Sequence, residues 1–248
     1  MAAPVQLTFL GCGDAFCSGG RFNTCFLVEA LSTRFLIDCG ATSLVALHRQ
    51  GVSTDDIDAI MVTHFHGDHY GGLPFFFLEA AKIRKRRHPL TVVTPEGGEQ
   101  RTRDLMEQLY PGTSGVMKEI DLRFVEYQGY QEIDIESLKL TAHPVIHAEA
   151  SLPHGLRIEV DERVIGFSGD TEWTDELRSI ADGAHLMICE CNFFETQVPG
   201  HLEYQTLQRN LHQLNAGRII LNHLGQEMLT RLERVELTCA HDGMQVSV

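Results

Sequence analysis

The sequence predicts an α/β protein, an αββα sandwich in which two mixed β-sheets pack face to face and helices cover their outer faces. Apolar runs of strand length alternate with segments of helical pattern, and the order of strands followed by helices occurs twice along the chain. No linker and no short repeat interrupts the 248 residues. One domain over residues 1–248 is therefore expected, and a chain of this length can bury a substantial core.

The first part of the chain predicts five strands and three helices. Residues 59–63 form a short apolar run, which is typical of a strand buried on both faces. Gly51 ends the first helix and Pro95 closes the fifth strand, because both residue types interrupt regular structure. The expected strands cover residues 6–10, 25–29, 34–38, 59–63 and 90–94, and the expected helices cover residues 42–50, 74–87 and 97–110.

The second part of the chain is richer in strands. The pair Asp161-Glu162 separates two apolar runs and is expected to form the turn between them. Strands are expected at residues 122–127, 138–142, 156–160, 164–168, 186–190, 218–221 and 244–248, and helices at residues 174–182, 203–215 and 226–236. With the first part, these elements supply two sheets and an outer layer of helices.

Composition and charge exclude several classes of protein. The formal net charge is −14, so the chain repels long polyanions and extended nucleic-acid binding is not expected. No apolar run approaches the length of a membrane-spanning helix, so no membrane partner is expected. The N-terminal residues lack the basic and apolar pattern of a signal peptide. Seven cysteines, an odd number with no visible pairing pattern, predict a reduced, cytoplasmic protein.

A cluster of metal-ligand residues follows the strand predicted at residues 59–63. The segment Thr63-His-Phe-His-Gly-Asp-His69 places three imidazoles and one carboxylate in six positions. Neutral imidazole and carboxylate groups bind zinc and other borderline divalent metals. The first two histidines alternate and can point the same way, while the aspartate and the last histidine follow a glycine and can turn toward a second metal. The segment therefore predicts a metal centre at the end of a strand.

A centre of two metals needs further ligands, and three candidates also follow apolar runs. They are His147, Asp170 and His223. His143 is a rival of His147, although a partly buried structural histidine is the simpler interpretation of it. His154 is close in sequence to a ligand and is a candidate for contact with substrate. Asp38, at the end of the third predicted strand, is expected to bond to the backbone of the metal-ligand segment and to have a structural role.

With these residues in place, the chain resembles the metallo-β-lactamase superfamily over nearly its full length, and within it the branch that contains ribonuclease Z and small cyclic-nucleotide phosphodiesterases. The segment Thr63-His-Phe-His-Gly-Asp-His-Tyr-Gly-Gly-Leu-Pro74 is highly specific for the superfamily. Glu190 with His201 is moderately specific for the phosphodiesterase branch. The other matching motifs are Leu10-Gly-Cys-Gly-Asp14, Leu36-Ile-Asp-Cys-Gly40, Pro144-Val-Ile-His147, Phe167-Ser-Gly-Asp-Thr171, Gly200-His201 and Asn222-His223.

The resemblance implies a single metallo-β-lactamase-fold domain that holds two divalent metal ions, with zinc favoured over manganese or iron. One ion would be held by His64, His66 and His147 and the other by Asp68, His69 and His223, with Asp170 bridging the two. His201, oriented by Glu190, would lie where the leaving group departs. The resemblance thus gives Asp68, His201 and Glu190 as the catalytic residues.

The expected reaction is the hydrolysis of a small anionic phosphodiester such as a cyclic nucleotide. Ribonuclease Z carries a long arm between the ligands that match His147 and Asp170 and grips tRNA with it, whereas only two strands and a turn are expected here. Processing of the tRNA 3′ end is therefore less favoured. A thioester or lactone hydrolase on the same fold is the main alternative, followed by a non-catalytic binding protein and a single-metal iron oxidation. A homodimer is left open.

Overall fold

Two seven-stranded β-sheets face each other in the computed structural model, which describes residues 5–248. Helices lie on the outer faces, so the predicted αββα sandwich of two mixed sheets is confirmed. In chain order the strands are β1 (Gln6–Gly11), β2 (Cys25–Glu29), β3 (Arg34–Ile37), β4 (Ala59–Met61), β5 (Leu90–Pro95), β6 (Leu122–Tyr127), β7 (Glu132–Ile135), β8 (Leu138–Pro144), β9 (His154–Val160), β10 (Arg163–Phe167), β11 (Leu186–Glu190), β12 (Ile219–Asn222), β13 (Thr238–Cys239) and β14 (Gln245–Ser247).

The helices between these strands are short. They are α1 (Ser43–Arg49), α2 (Gly67–Tyr70), α3 (Leu73–Leu78), α4 (Gly98–Leu109), α5 (Glu176–Ala181), α6 (Tyr204–Asn210) and α7 (Gln226–Leu229). A π-helical segment, Glu79–Arg84, continues α3. Single 3-10 turns occur at Ser18–Gly20, Thr54–Asp56, Ser114–Lys118, Glu149–Ser151, Leu211–Gln213 and Leu232–Arg234. Within residues 5–248, no helix has the length and apolar character needed to cross a membrane.

Each sheet has an antiparallel half and a parallel half. The first sheet has the order β14-β1-β2-β3-β4-β5-β6, in which β3 to β6 are parallel and the other pairs are antiparallel. The second has the order β13-β12-β11-β10-β9-β8-β7, in which β10 to β13 are parallel and β7 to β10 are antiparallel. Because parallel strands end at the same edge of a sheet, the segments after β4, β10, β11 and β12 leave the sandwich close together.

The apolar core forms three layers. In the central layer, between the sheets, Phe26 makes edge-to-face contacts with Phe9 and Phe167, each with ring centroids 5.1 Å apart. A second layer lies between the first sheet and helices α1, α3 and α4. A third lies between the second sheet and helices α5, α6 and α7. Burial of apolar surface in these layers, at roughly 25 cal/mol per Å², is the main favourable term in folding.

The helix predicted at residues 74–87 is divided in the structure. Its α geometry ends at Leu78, and the next residues form the π-helical segment, whose hydrogen bonds span one more residue than those of an α-helix. Lys85 then takes a left-handed backbone with φ of 58°. Arg86 turns inward and donates to the backbone carbonyl of Thr54 at 2.9 Å. A buried arginine therefore fixes the end of the segment in place of a continuing helix.

The helices predicted at residues 203–215 and 226–236 are also shorter than expected, because they end at Asn210 and Leu229. The side chains of Asn210 and Thr230 donate to backbone carbonyls one turn back, at 2.9 and 3.0 Å. Such side-chain bonds compete with continuation of a helix. A 3-10 turn follows each of the two helices.

The strands predicted from the sequence do not include the two edge strands of the second sheet. β7 and β13 are the outer strands of the second sheet, and neither is expected from the sequence analysis. β7 alternates charged and apolar residues, Glu132-Ile-Asp-Ile135, and buries the apolar ones, so its pattern does indicate an edge strand. β13 has only two residues, which is too short for a periodic pattern.

Candidate metal centre

The metal-ligand segment, residues 63–69, is held against the first sheet by a buried aspartate. Asp38 follows β3, is fully buried and has a left-handed backbone with φ of 59°. Its carboxylate accepts the backbone N–H of Thr63 at 2.8 Å and the hydroxyl of Thr63 at 2.9 Å. It also pairs with Nδ1 of His69 at 2.6 Å. The structure thus places Asp38 in the structural role that the sequence analysis expects.

Glycines allow the segment to turn back closely onto the strand ends. A Cβ atom at Gly40 would lie 2.2 Å from the carbonyl oxygen of Asp68, and a Cβ atom at Gly72 would lie 2.3 Å from the carbonyl oxygen of Gly40. Both distances are far shorter than van der Waals contact, so only glycine allows this packing. The short helix α2 can then carry the buried side chains of Asp68 and His69 toward the centre.

Seven side chains converge where the strands end, in two groups within which the ligand atoms lie no more than 4.8 Å apart. The first group is His64, His66 and His147, and the second is Asp68, His69, Asp170 and His223. In the first group, Nε2 of His147 lies 3.0 Å from Nδ1 of His66. The structure therefore brings together all seven residues that the resemblance assigns to metal binding.

The carboxylate of Asp170 lies between the two groups. Its Oδ1 is 3.3 Å from Nε2 of His69, and its Oδ2 is 3.3 Å from Nε2 of His223. The same Oδ2 lies 3.9 Å from Nε2 of His64 and 4.0 Å from Nε2 of His147. A carboxylate that faces both groups at once has the position of a bridging ligand.

Buried ligand atoms without hydrogen-bond partners indicate that these side chains are arranged for cations. Among the residues that the structure describes, Nε2 of His64, Nε2 of His69 and Oδ1 of Asp170 are buried and make no hydrogen bond, and the 3.3 Å approach of the last two atoms lacks hydrogen-bond geometry. One such atom costs about 1–3 kcal/mol, so three of them at one point need a common explanation. Five imidazoles and two carboxylates are a donor set that suits zinc and other divalent ions. The residues present therefore fit a divalent-metal site.

Neighbouring groups orient four of the ligand histidines through the ring nitrogen that faces away from the centre. The pairs are His64 with the Thr63 hydroxyl (3.0 Å), His69 with the Asp38 carboxylate (2.6 Å), His147 with the Gly200 carbonyl (2.7 Å) and His223 with the Asn192 amide (3.0 Å). Such contacts determine which nitrogen faces a metal. The roles of Asn192 and Gly200 are not predictable from the sequence, in which Gly200 stands out only as part of a motif, because both residues reach the site through the fold.

His201 lies beside the two ligand groups and is paired with Glu190. Nδ1 of His201 is 2.9 Å from Oε1 of Glu190, which is fully buried at the end of β11. The same oxygen accepts the backbone N–H of Thr171 at 2.8 Å. Burial lowers the pKa of His201, but the hydrogen bond and the charge of Glu190 outweigh it and raise this pKa above its ordinary value. Within the part of the chain that the structure describes, Nε2 of His201 makes no hydrogen bond.

The two other candidate histidines lie outside the ligand groups. Nδ1 of His143 is 3.1 Å from Oε2 of Glu176 in α5, which is a structural contact on the outer face of the second sheet. Nδ1 of His154 is 2.8 Å from the backbone carbonyl oxygen of Leu152, and its ring packs edge to face against Tyr127 at 5.1 Å. Among the described residues, neither His143 nor His154 belongs to a cluster of metal-ligand atoms.

Comparison with known proteins gives a family and a fold. Residues 5–239 match the family model described as anti-Pycsar protein Apyc1. The Apyc1 protein of Paenibacillus sp. (strain J14) is 30% identical over 240 residues, which cover 90% of this chain and 91% of that protein. Ribonuclease Z of Methanothermobacter thermautotrophicus is 23% identical, with 94% of this chain and 89% of that protein covered.

Among solved structures, the metallo-β-lactamase fold protein YhfI from Bacillus subtilis superposes with a TM-score of 0.80. The superposition covers 99% of this chain and 100% of that chain, at 20% sequence identity. The predicted membership of the metallo-β-lactamase superfamily, near proteins that resemble ribonuclease Z, is therefore confirmed.

Proposed function

The chain belongs to the family of the anti-Pycsar protein Apyc1, and on that premise we propose that it is a dinuclear metal-dependent phosphodiesterase of small cyclic nucleotides. It is a hydrolase of the metallo-β-lactamase fold. The observation that carries the proposal is the pair of Glu190 and His201 next to the seven ligand side chains. This pair is suited to a reaction whose leaving group needs a proton.

The two groups of ligand side chains would each hold one metal ion. His64, His66 and His147 would hold the first, and Asp68, His69 and His223 the second, with Asp170 shared between them. Two bound divalent ions lower the pKa of a water molecule and stabilise negative charge on a phosphate. Zinc suits the imidazole-rich donor set best, and manganese and iron also accept such ligands.

The charge of the centre supports an anionic substrate. Two divalent cations would carry more charge than the two ligand carboxylates, Asp68 and Asp170, so the ligand shell would be positive within a chain whose net charge is −14. Elsewhere the acidic surface repels long polyanions, so a small phosphodiester is favoured over an extended nucleic acid.

The leaving group determines what His201 has to do. Cleavage of a ribose phosphodiester releases an alkoxide, which is strongly basic and needs a proton as the bond breaks. Nε2 of His201 can donate this proton, while Glu190 fixes the ring through Nδ1 and stabilises its protonated form. A thiolate departs more readily without a proton, so the pair of Glu190 and His201 favours a phosphodiester over a thioester. A lactone also releases an alkoxide, and an assay on both substrates separates it from a phosphodiester.

The connection between His147 and Asp170 favours a small substrate over tRNA. Residues 148–169 contain a 3-10 turn at Glu149–Ser151 and the hairpin of β9 and β10. This stretch stays within the second sheet and forms no projecting arm. The similarity to ribonuclease Z therefore extends to the fold and the motifs, but this part of the chain offers no added surface for RNA.

A panel of substrates tests the proposal. We expect the metal-loaded protein to hydrolyse 3′,5′-cyclic nucleotides and bis(p-nitrophenyl) phosphate, with much lower turnover on a thioester, a lactone and a precursor tRNA. Asp170→Ala serves as the control that should lose activity on every phosphodiester. Efficient thioester or lactone cleavage without phosphodiester cleavage would contradict the proposal, and so would efficient, salt-sensitive removal of a tRNA 3′ trailer.

A further inference from the structure

A cavity of about 360 Å³ opens beside His201. This volume lies within the range of small-molecule sites, roughly 300–1,000 Å³. Trp173, the single tryptophan of the chain, lines the cavity and also packs against the apolar layer beneath α5 and α6. Glu172, Gln197 and Glu203 contribute polar side chains to the lining. The cavity therefore combines one fixed aromatic surface with a polar rim.

The role of His201 places the leaving group in this cavity. Under the proposed function, on which this inference rests, His201 gives a proton to the oxygen that leaves the phosphorus. The group bonded to that oxygen must then lie next to His201, where the cavity opens. In a 3′,5′-cyclic nucleotide the leaving oxygen belongs to the ribose, so the ribose and its base would enter the cavity together.

Several hydrogen-bond donors around the cavity are already used within the protein. The side-chain N–H of Gln197 donates to Oε1 of Glu203 at 3.3 Å, and the hydroxyl of Thr206 donates to the same oxygen. The backbone N–H of Gly200 donates to Oε1 of Glu172 at 2.8 Å. These bonds leave the second oxygen of each carboxylate and the amide oxygen of Gln197 to accept hydrogen bonds from a ligand.

An acidic lining rich in acceptors discriminates among ligands. None of the eight lining residues is lysine or arginine, and of their carboxylate oxygens the nearby Arg209 reaches only Oε1 of Glu203, at 3.8 Å. The carboxylates of Glu172 and Glu203 therefore still repel a second phosphate and attract N–H donors. The exocyclic amino group of cytosine is such a donor, whereas the matching position of a uracil-type base carries a carbonyl oxygen. Every base has a π-face that can stack on an aromatic side chain. Trp173 can therefore supply affinity, while the acceptors supply selectivity.

We propose that this cavity is the nucleoside pocket for the leaving group of the substrate. In it Trp173 stacks on the base, and the free acceptors of Glu172, Glu203 and Gln197 select bases that carry an exocyclic amino group. Cyclic nucleotides of cytosine, adenine or guanine are then better substrates than the cyclic nucleotide of uracil.

Fluorescence tests the stacking role directly, because Trp173 is the only tryptophan. Metal-loaded protein is titrated with cytidine 5′-monophosphate and, as the control without a base, with ribose 5-phosphate. We expect saturable quenching by the nucleotide, little quenching by the sugar phosphate, and displacement of the nucleotide by an excess of the sugar phosphate. Absence of quenching by the nucleotide, or equal quenching by both compounds, would overturn the assignment of Trp173.

Steady-state kinetics test the same residue during turnover. Trp173→Ala should lower kcat/KM for 3′,5′-cyclic CMP between roughly fivefold and a hundredfold, the range that base–aromatic stacking contributes. Trp173→Phe should restore most of this loss, and both variants should bind metal as the wild type does. If Trp173→Ala had the kinetics of the wild type, the assignment of this cavity as the nucleoside pocket would be wrong.

The choice between cytosine and uracil tests the acceptors. The wild type should prefer cyclic CMP over cyclic UMP by about tenfold, the effect of one hydrogen bond to a charged group. Glu203→Gln or Glu172→Gln should reduce this ratio, because an amide N–H can pair with the carbonyl oxygen of uracil. Equal rates on both nucleotides in the wild type, or an unchanged ratio in both variants, would overturn the proposed selectivity.

The experiments distinguish an error in the proposed pocket from an error in the proposed function. If the wild type hydrolyses no cyclic nucleotide, the proposed function fails, and the fluorescence titration alone decides whether a nucleoside occupies the cavity. If cyclic nucleotides are hydrolysed but neither quenching nor the variants respond as expected, the function stands and the pocket is wrong.

Discussion

At the scale of single residues, the chemistry proposed for His201 depends on the orientation of its ring. Nδ1 is held by Glu190, and about 21% of the side chain remains exposed, which allows Nε2 to meet a leaving group. The backbone of Glu190 is also held in place, because its N–H donates to the hydroxyl oxygen of Ser168 at 2.8 Å. The ring of His201 is therefore held in one orientation by Glu190.

Replacement of His201 by alanine should separate metal binding from proton transfer. We expect His201→Ala to keep the metal content of the wild type but to lose about 10²–10⁴-fold in kcat on cyclic nucleotides. Esters with a p-nitrophenolate leaving group should lose much less, because that anion departs without a proton. Glu190→Gln should give a milder form of the same pattern.

The measurement is kcat for both ester types, together with metal content for each variant. Equal losses on both types would remove His201 as the general acid and would indicate that it positions the substrate. Loss of a metal ion from His201→Ala would instead make it a ligand and would require a new assignment of His223.

The ligand residues of the site are easier to predict from the sequence than the residues that hold these ligands and Glu190 in place. The ligand residues share a signature, since each follows an apolar run that ends at the same edge of the sandwich. Asn192 and the hydroxyl of Ser168 carry no such signature. They reach His223 and Glu190 through long-range packing, which no local pattern of a single sequence encodes.

At the scale of elements, the turn between the metal-ligand segment and α3 requires glycine. Gly72→Ala would place Cβ 2.3 Å from the carbonyl oxygen of Gly40, which is backbone and cannot move aside cheaply. We expect the free energy of unfolding to fall by about 1–3 kcal/mol and the metal content to fall with it. Chemical denaturation and metal analysis measure the two effects.

Gly115 provides a matched control for this prediction. A Cβ atom there would meet no atom within 4 Å, and its backbone is not left-handed. Gly115→Ala should therefore be nearly neutral or slightly stabilising. If both variants had the same stability and metal content, close packing at Gly72 would not be what holds the segment.

Glu79 joins the start of the π-helical segment to the first part of the chain. Its largely buried carboxylate accepts the hydroxyl of Thr54 and pairs with Nε2 of His48 and Nε of Arg84, both at 3.0 Å. Burial raises the pKa of Glu79, but these partners outweigh it and hold the pKa below its ordinary value. Such a group stabilises the fold above its unfolded pKa, and the stabilisation is lost as the pH falls through the folded pKa.

We therefore expect Glu79→Gln to lower the free energy of unfolding by about 1 kcal/mol at pH 7. The difference from the wild type should begin to shrink as the pH falls below the ordinary pKa of a glutamate, about 4.3. It should go on shrinking as the pH falls through the lower pKa of Glu79 in the folded protein. Denaturation of both proteins from pH 3 to pH 7 measures this, with Glu132→Gln as the exposed control. A difference that stayed constant over the whole range would contradict the account of Glu79.

Element boundaries depend on contacts that are distant in sequence. The strands at residues 122–127 and 186–190 are predicted with the bounds that the structure has. The second strand is apolar up to its last residue, and half of the first consists of aromatic or β-branched residues, which favour strands. The helix predicted at residues 74–87 fails where the buried guanidinium of Arg86 bonds to the chain near Thr54. Local periodicity cannot report such a contact.

At the scale of the whole molecule, the sandwich makes a site from segments that are far apart in the chain. The parallel halves of the two sheets end at one edge, where segments after β4, β8, β10 and β12 bring the ligands of both groups together. The alternation of strands and helices is therefore sufficient to predict both the fold class and the region of the site. The cavity beside His201 is not predictable in this way, because its lining comes from loops whose course depends on packing.

The account depends most on the claim that two metal ions act together in one hydrolytic centre. The most direct test removes metal from the protein and titrates it with zinc or manganese while the hydrolysis of a 3′,5′-cyclic nucleotide is followed. We expect activity to rise until about two metal ions are bound per chain and then to stay constant, and we expect Asp170→Ala to recover no activity at any metal concentration. Full activity at one ion per chain, or cyclic-nucleotide hydrolysis without added metal, would contradict the central claim.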